Sequence, residues 1–144
     1  MRKTDETLAV ADRLHSAAIR LLRAVRVADA ETGLSAPRLS ALSVLAFAGP
    51  QSLTALAKAE QVSLPTMSKL VGELEAAGLA VKRADKSDKR GLRIEVTAKG
   101  RALMQEGRRR RLDLLRAKLA GLTRAERDHL NTAAALMLRL AEED

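Results

Sequence analysis

The sequence predicts a mainly α-helical fold carrying one small β-hairpin. Leu and Ala dominate its apolar residues, and both favour helix. Apolar residues recur every three or four positions along most of the 144-residue chain. One stretch, between Gly78 and Thr97, instead alternates apolar with polar residues as strands do.

The elements follow in order. From Thr4 to about Glu31, Leu8, Ala11, His15, Ala18, Leu22 and Val25 form one stripe of a long helix, with Gly33 as its stop. Ser35 caps a second helix with Pro37 in its first turn, and Leu39, Leu42, Leu45 and Ala46 face inward until Gly49-Pro50. Ser52 to Gln61 reads as a short helix, with Leu53, Leu56 and Ala57 inward. The turn Glu60-Gln61-Val62 leads to Ser63, which caps a further helix with Pro65 in its first turn. Met67, Leu70, Val71 and Leu74 form its inner face, and Gly78 ends it. Two short helices joined this way make a helix-turn-helix pattern. Leu79–Arg83 and Leu92–Thr97 pair as a two-stranded hairpin across a charged turn. Thr97 caps a long helix from about Ala98 to Ala120. Thr123 and Glu126 then form a capping box for a last helix striped with Leu130, Ala133, Ala134, Met137, Leu140 and Ala141.

Composition removes several classes of function. With no Cys, there is no disulfide scaffold, thiolate site or cysteine nucleophile. No Ser-His-Asp spacing, metal motif or Gly-rich phosphate loop occurs, so the expectation is a protein that is not an enzyme and uses no cofactor or metal. His15 and His129 lie on or beside apolar stripes and read as core or interface residues. The uncharged run Leu39 to Ala57 is broken by Gly49-Pro50-Gln51-Ser52 and reads as two short helices rather than a membrane span. A cytoplasmic protein is expected, since Asp5, Glu6 and Asp12-Arg13 interrupt any leader-like segment.

The formal charge is +8, which points to an anionic partner, nucleic acid before membrane. Its distribution says more. Lys82 to Arg93 is net +4, Lys99 to Lys118 net +6, and Thr123 to Asp144 net −2. A basic hairpin beside a helix-turn-helix suits contact with phosphates on both sides of a major groove. On the second helix of that motif, Ser63 is read as a DNA contact whose cap leaves an amide aimed at a phosphate, and the inward stripe leaves Leu64, Pro65, Thr66, Ser68 and Lys69 toward solvent, at the end where such helices meet base edges. Lys86 and Lys89 read as phosphate contacts, and Arg90 as a minor-groove contact suited by its weakly hydrated guanidinium. A solvated charged loop is the plainer reading of the same hairpin tip.

This order of elements resembles the MarR family of winged-helix transcriptional regulators. The matching runs are Gly49-Pro50-Gln51-Ser52-Leu53-Thr54-Ala55-Leu56-Ala57, Ser63-Leu64-Pro65-Thr66-Met67-Ser68-Lys69-Leu70-Val71 and Leu74-Glu75-Ala76-Ala77-Gly78-Leu79. Asp88-Lys89-Arg90 is similar to the family's wing signature, with Lys89 in place of its first Arg. Val96-Thr97-Ala98-Lys99-Gly100 is similar to the Leu-Thr-x-x-Gly that follows it. The resemblance implies that Asp88 braces the wing by holding Arg90 or Lys89. It also implies a small ligand, bound between the dimer-forming and DNA-reading lobes, that weakens operator binding.

The expectation is therefore a homodimeric repressor of double-stranded DNA, reading a pseudo-palindromic operator. Residues 35–97 form the winged helix-turn-helix lobe, and residues 1–31 with 98–144 the helical dimerisation region. Long Leu/Ala stripes on those terminal helices need a partner. The run Arg108 to Arg111 covers most of a helix circumference, so Arg108 or Arg111 should point inward. An ion pair, a phosphate contact or a site for a small anionic or aromatic effector are its three readings. The rival for the whole chain is a non-specific architectural nucleic-acid binder.

Overall fold

The computed structural model describes residues 2–87 and 91–142. The chain divides into two compact units, Arg26–Arg109, and Met1–Val25 with Arg110–Asp144.

The Arg26–Arg109 unit is built on an aliphatic core. Helix α2 (Ala36–Phe47) contributes Ala41, Leu42 and Leu45; α3 (Leu53–Ala59) contributes Leu56 and Ala57; α4 (Leu64–Ala76) contributes Met67, Val71 and Leu74. Leu79, Ala80 on β2 (Ala80–Ala84) and Ile94 on β3 (Leu92–Val96) close it from the sheet side. Met104, from α5 (Ala98–Ala120), completes it. Each large side chain sealed this way contributes about 1.5–3 kcal/mol of burial. The single aromatic residue, Phe47, is left outside and 57% exposed.

Local chemistry sets the breaks between these helices. Ser52 caps α3 by accepting the Ala55 N–H at 3.1 Å, and Ser63 caps α4 by accepting the Thr66 N–H at 3.3 Å. Between them Gln61 adopts φ +55°, a left-handed conformation that costs a non-glycine residue about 1–2 kcal/mol. It lets the Val62 N–H reach the Ala57 carbonyl at 3.0 Å, which fixes the turn of the helix-turn-helix. Gly78, at φ +72°, turns the chain out of α4 into β2.

The structure corrects three local expectations. The first helix, α1, stops at Arg26, and Val27–Thr32 wind as a 3-10 segment. The Thr32 hydroxyl donates to the Asp29 carbonyl at 2.7 Å and accepts from the Leu34 N–H, holding that tighter end. Ser35 sits at the start of α2 with extended backbone but makes no side-chain cap bond. The sheet has three strands in the order β1-β3-β2, because β1 (Gln51–Ser52) pairs antiparallel with β3, Gln51 opposite Ile94. Leu92 is 58% exposed at the far end of the hairpin, outside the reach of the core that buries Ile94.

In the other unit, α6 (Arg124–Glu142) opens with the expected capping box. The Glu126 carboxylate accepts from the Thr123 N–H at 2.7 Å, and the Thr123 hydroxyl accepts from the Glu126 N–H at 3.2 Å. The Thr123 N–H, and after it the Thr123 hydroxyl donating at 3.0 Å, hold the Glu126 carboxyl below its usual range. No residue of α6 is buried. Leu130, Met137 and Leu140 are 48%, 40% and 59% exposed, and Leu8 and Leu22 of α1 are 67% and 49%.

The start of α5 sits directly on the exit of α4. A Cβ at Gly100 would overlap the Leu79 carbonyl oxygen, so only glycine permits this approach. Gly100→Ala is expected to lower stability by about 1–3 kcal/mol. Gly72→Ala, where nothing lies within 4 Å, is expected to raise it by about 0.5–1 kcal/mol. Urea unfolding midpoints check both.

Candidate nucleic-acid interface

Helix α4 separates its two faces cleanly. Met67, Val71 and Leu74 are buried, whereas Ser63, Leu64, Pro65, Thr66, Ser68 and Lys69 are all exposed. The first turn of α4 carries no acidic residue, so the positive end of the helix dipole is unopposed. The Ser63 hydroxyl is spent on the cap. It accepts from the Thr66 N–H and donates to the Thr66 hydroxyl oxygen at 2.9 Å. The Thr66 hydroxyl proton is thereby directed away from Ser63 and stays available as a donor.

The acids of α4 lie farther along and are matched. Glu73 takes Arg38 of α2 at 2.8 Å, and Glu75 takes Lys82 of β2 at 3.3 Å. These partly exposed pairs contribute modestly to stability. Their larger effect is to fix α4 to its neighbours while cancelling negative charge near its outer face. Sequence reasoning missed both pairs, because contacts between α4 and distant segments leave no local pattern.

The wing is less free in charge than its composition suggests. Lys82 is taken by Glu75, Arg83 by Glu95 at 2.9 Å, and Arg93 by Asp85 at 3.1 Å. Lys86 is exposed at the described edge of the tip. Asp88, Lys89 and Arg90, assigned above to bracing and DNA contact, lie outside the described residues. Among the described residues the brace is Asp85. Its carboxylate accepts from the Ser87 N–H at 3.0 Å, the Ser87 hydroxyl at 2.8 Å and Arg93 Nε at 3.1 Å. The Asp85-x-Ser87 spacing is a turn signal that could have marked it.

The first turn of α5 grips the ends of two helices. The Thr97 hydroxyl donates to the Gly78 carbonyl at 2.6 Å and accepts from the Gly100 N–H. Lys99 Nζ donates to the Ala77 carbonyl at 3.0 Å, and Arg101 Nη1 to the Ala46 carbonyl at 3.3 Å. Cations at helix C-termini are favourable there. Reading Thr97 as a helix cap alone missed this second role.

Of the two arginines expected to point inward, Arg108 is exposed and Arg111 is half-buried, as is Arg110, while Arg109 takes Glu106 at 2.8 Å. The inward stripe of α5 passes through Met104 and Gly107, one residue out of register with the stripe extended back from Leu115. His15 and His129 are exposed in the single chain. Among the described residues no cluster of His, Asp or Glu could hold a metal, and no helix is long and apolar enough to cross a membrane.

Residues 32–91, from the end of the 3-10 segment to the residue before β3, match the MarR family. An HTH-type transcriptional regulator of Mycobacterium tuberculosis is 35% identical over 139 residues, spanning 96% of this chain and 97% of its own length. The chain belongs to the MarR family. Solved structures agree with that fold. A MarR family protein from Bacillus stearothermophilus, 20% identical, superposes with TM-score 0.83 over 96% of this chain and 98% of its own. BpsR of Bordetella bronchiseptica, whose DNA binding is regulated by 6-hydroxynicotinic acid, is 24% identical with TM-score 0.65 over 94% of each chain. In the winged-helix fold of this MarR-type transcriptional regulator, α3 and α4 form the helix-turn-helix and β2–β3 the wing.

The Asp85 bonds, led by the Ser87 N–H and hydroxyl and then Arg93, hold its carboxyl below the ordinary aspartate value of 3.8. Its contribution is therefore present in full above that value and lost as pH falls through the lowered one. Asp85→Asn should be less stable than the parent at neutral pH and converge with it on acidification. Unfolding midpoints between roughly pH 2 and pH 7 check this.

Proposed function

We propose that the protein is a homodimeric repressor that binds a pseudo-palindromic DNA site and is released by a small ligand. It acts by binding rather than by turnover. The observation that carries the reading is the outer face of α4. An acid-free, capped N-terminal turn exposes Thr66, Ser68 and Lys69, and Lys82 ties the helix to a wing that carries Lys86. Thr66 and Ser68 can exchange hydrogen bonds with base edges or phosphates, and Lys69 can reach a guanine edge. Lys86 supplies a phosphate contact, which positions without specifying.

A second copy supports the reading from a different direction. The apolar stripes of α1 and α6 are uncovered in the single chain. Packed against their symmetric equivalents, they would lose that unfavourable exposure. Two α4 helices would then face successive major grooves, with half-sites about 10 bp apart. Ligand release draws on BpsR, which responds to a small aromatic acid. Arg108 and Arg111 are the candidate partners for such an anion on this chain. A ligand favouring a lobe spacing mismatched to the operator would weaken binding by selecting it.

Three measurements test this. Solution mass should be twice 15.5 kDa at working concentration. Competition between duplexes should give a preferred inverted repeat by ~10³ or more, whereas an architectural binder would show little preference at any salt. Lys69→Ala should weaken the preferred site about tenfold, and Lys86→Ala should lower the salt slope by about one, as expected when one phosphate is no longer neutralised. Unchanged binding in both variants would defeat the assignment.

A further inference from the structure

Leu64 is the exception on the outer face of α4. The other large apolar side chains of that helix are buried or half-buried, yet Leu64 is 47% exposed beside Thr66, Ser68 and Lys69. It opens the helix, at a position where a leucine adds nothing to capping or to the helix dipole. Its backbone is held on both sides. Ser63 before it is locked by two hydrogen bonds to Thr66, and Pro65 after it fixes its own φ. Covering the Leu64 side chain therefore needs little further ordering of the backbone that carries it.

We propose that Leu64 is a specificity-determining residue that reads the 5-methyl group of thymine in the major groove. The proposal rests on the reading of α4 as the helix that enters that groove. Thymine is the base that places an apolar group on the major-groove edge, and its O4 acceptor lies beside that methyl. Ser68 stands one helical turn from Leu64 on the same face and is exposed. Its hydroxyl can donate to O4 while Leu64 covers the methyl. Cytosine offers no methyl there, and the purines offer only polar atoms.

The test uses the whole protein and the duplex it prefers from a random pool. Each thymine is replaced in turn by deoxyuridine, which removes the methyl and leaves pairing and hydrogen-bonding groups in place. Replacement at one position of a half-site should weaken binding about three- to five-fold, the loss expected for one buried methyl. Leu64→Ala should bind the parent and deoxyuridine duplexes equally, with an unchanged melting midpoint. Leu64→Met, which keeps the apolar surface, should retain the discrimination. Equal binding of all deoxyuridine duplexes by the parent, or an undiminished penalty in Leu64→Ala, overturns the methyl assignment while leaving sequence-specific binding intact. A parent that prefers no duplex overturns the groove-reading role of α4, and the assignment with it.

Discussion

The Arg26–Arg109 unit depends on the approach of Gly100 to the Leu79 carbonyl. At that point the end of α4, the start of β2 and the first turn of α5 share one small volume. The Thr97 hydroxyl, taking its partner at the Gly78 carbonyl, turns a chain reversal into a fixed joint. Lys99 and Arg101 extend the joint to the carbonyl ends of α4 and α2. With those ends fixed, the aliphatic core sets the roll of α4 about its axis, because Met67, Val71 and Leu74 occupy one stripe. The opposite stripe is presented outward as a direct result.

Charge follows the same logic of pairing inside and release outside. The acids on α4 each have a cation from another element, Arg38 for Glu73 and Lys82 for Glu75. Within the hairpin, Glu95 and Asp85 occupy Arg83 and Arg93. Such pairs spend basic residues on internal order. The field that reaches an incoming polyanion therefore comes from fewer side chains than a count along the sequence suggests, with Lys69 and Lys86 foremost among the described ones.

What was legible in the sequence was local. The Ser63 cap, the Gly78 stop and the Thr123–Glu126 box each rest on residues within four positions of one another, and each lies in the structure where spacing placed it. Strand β1 was not legible, since two residues between Pro50 and a helix carry no periodicity. The Arg38–Glu73 pair joins residues 35 positions apart, so only the folded chain reveals it. The choice between Arg108 and Arg111 as the inward residue was not legible for another reason. Extending a stripe backward from Leu115 ignored Gly107, which lets the backbone of α5, rather than a side chain, fill the buried position. The outer face of α4 was legible as a surface, but the locking of Ser63 to Thr66 was not, because a hydroxyl's partner depends on its rotamer.

The placement of sulfur has its own consequence. Met67 and Met104 are sealed in the core at 0% and 2% exposure, whereas Met137 on α6 is 40% exposed. With no cysteine in the chain, Met137 is the thioether among the described residues that an oxidant meets first. Conversion to the sulfoxide would set a polar oxygen in the middle of an otherwise greasy stripe. In a separated protomer, peroxide damage would thus fall on α6 while the interior beneath α4 stays chemically intact.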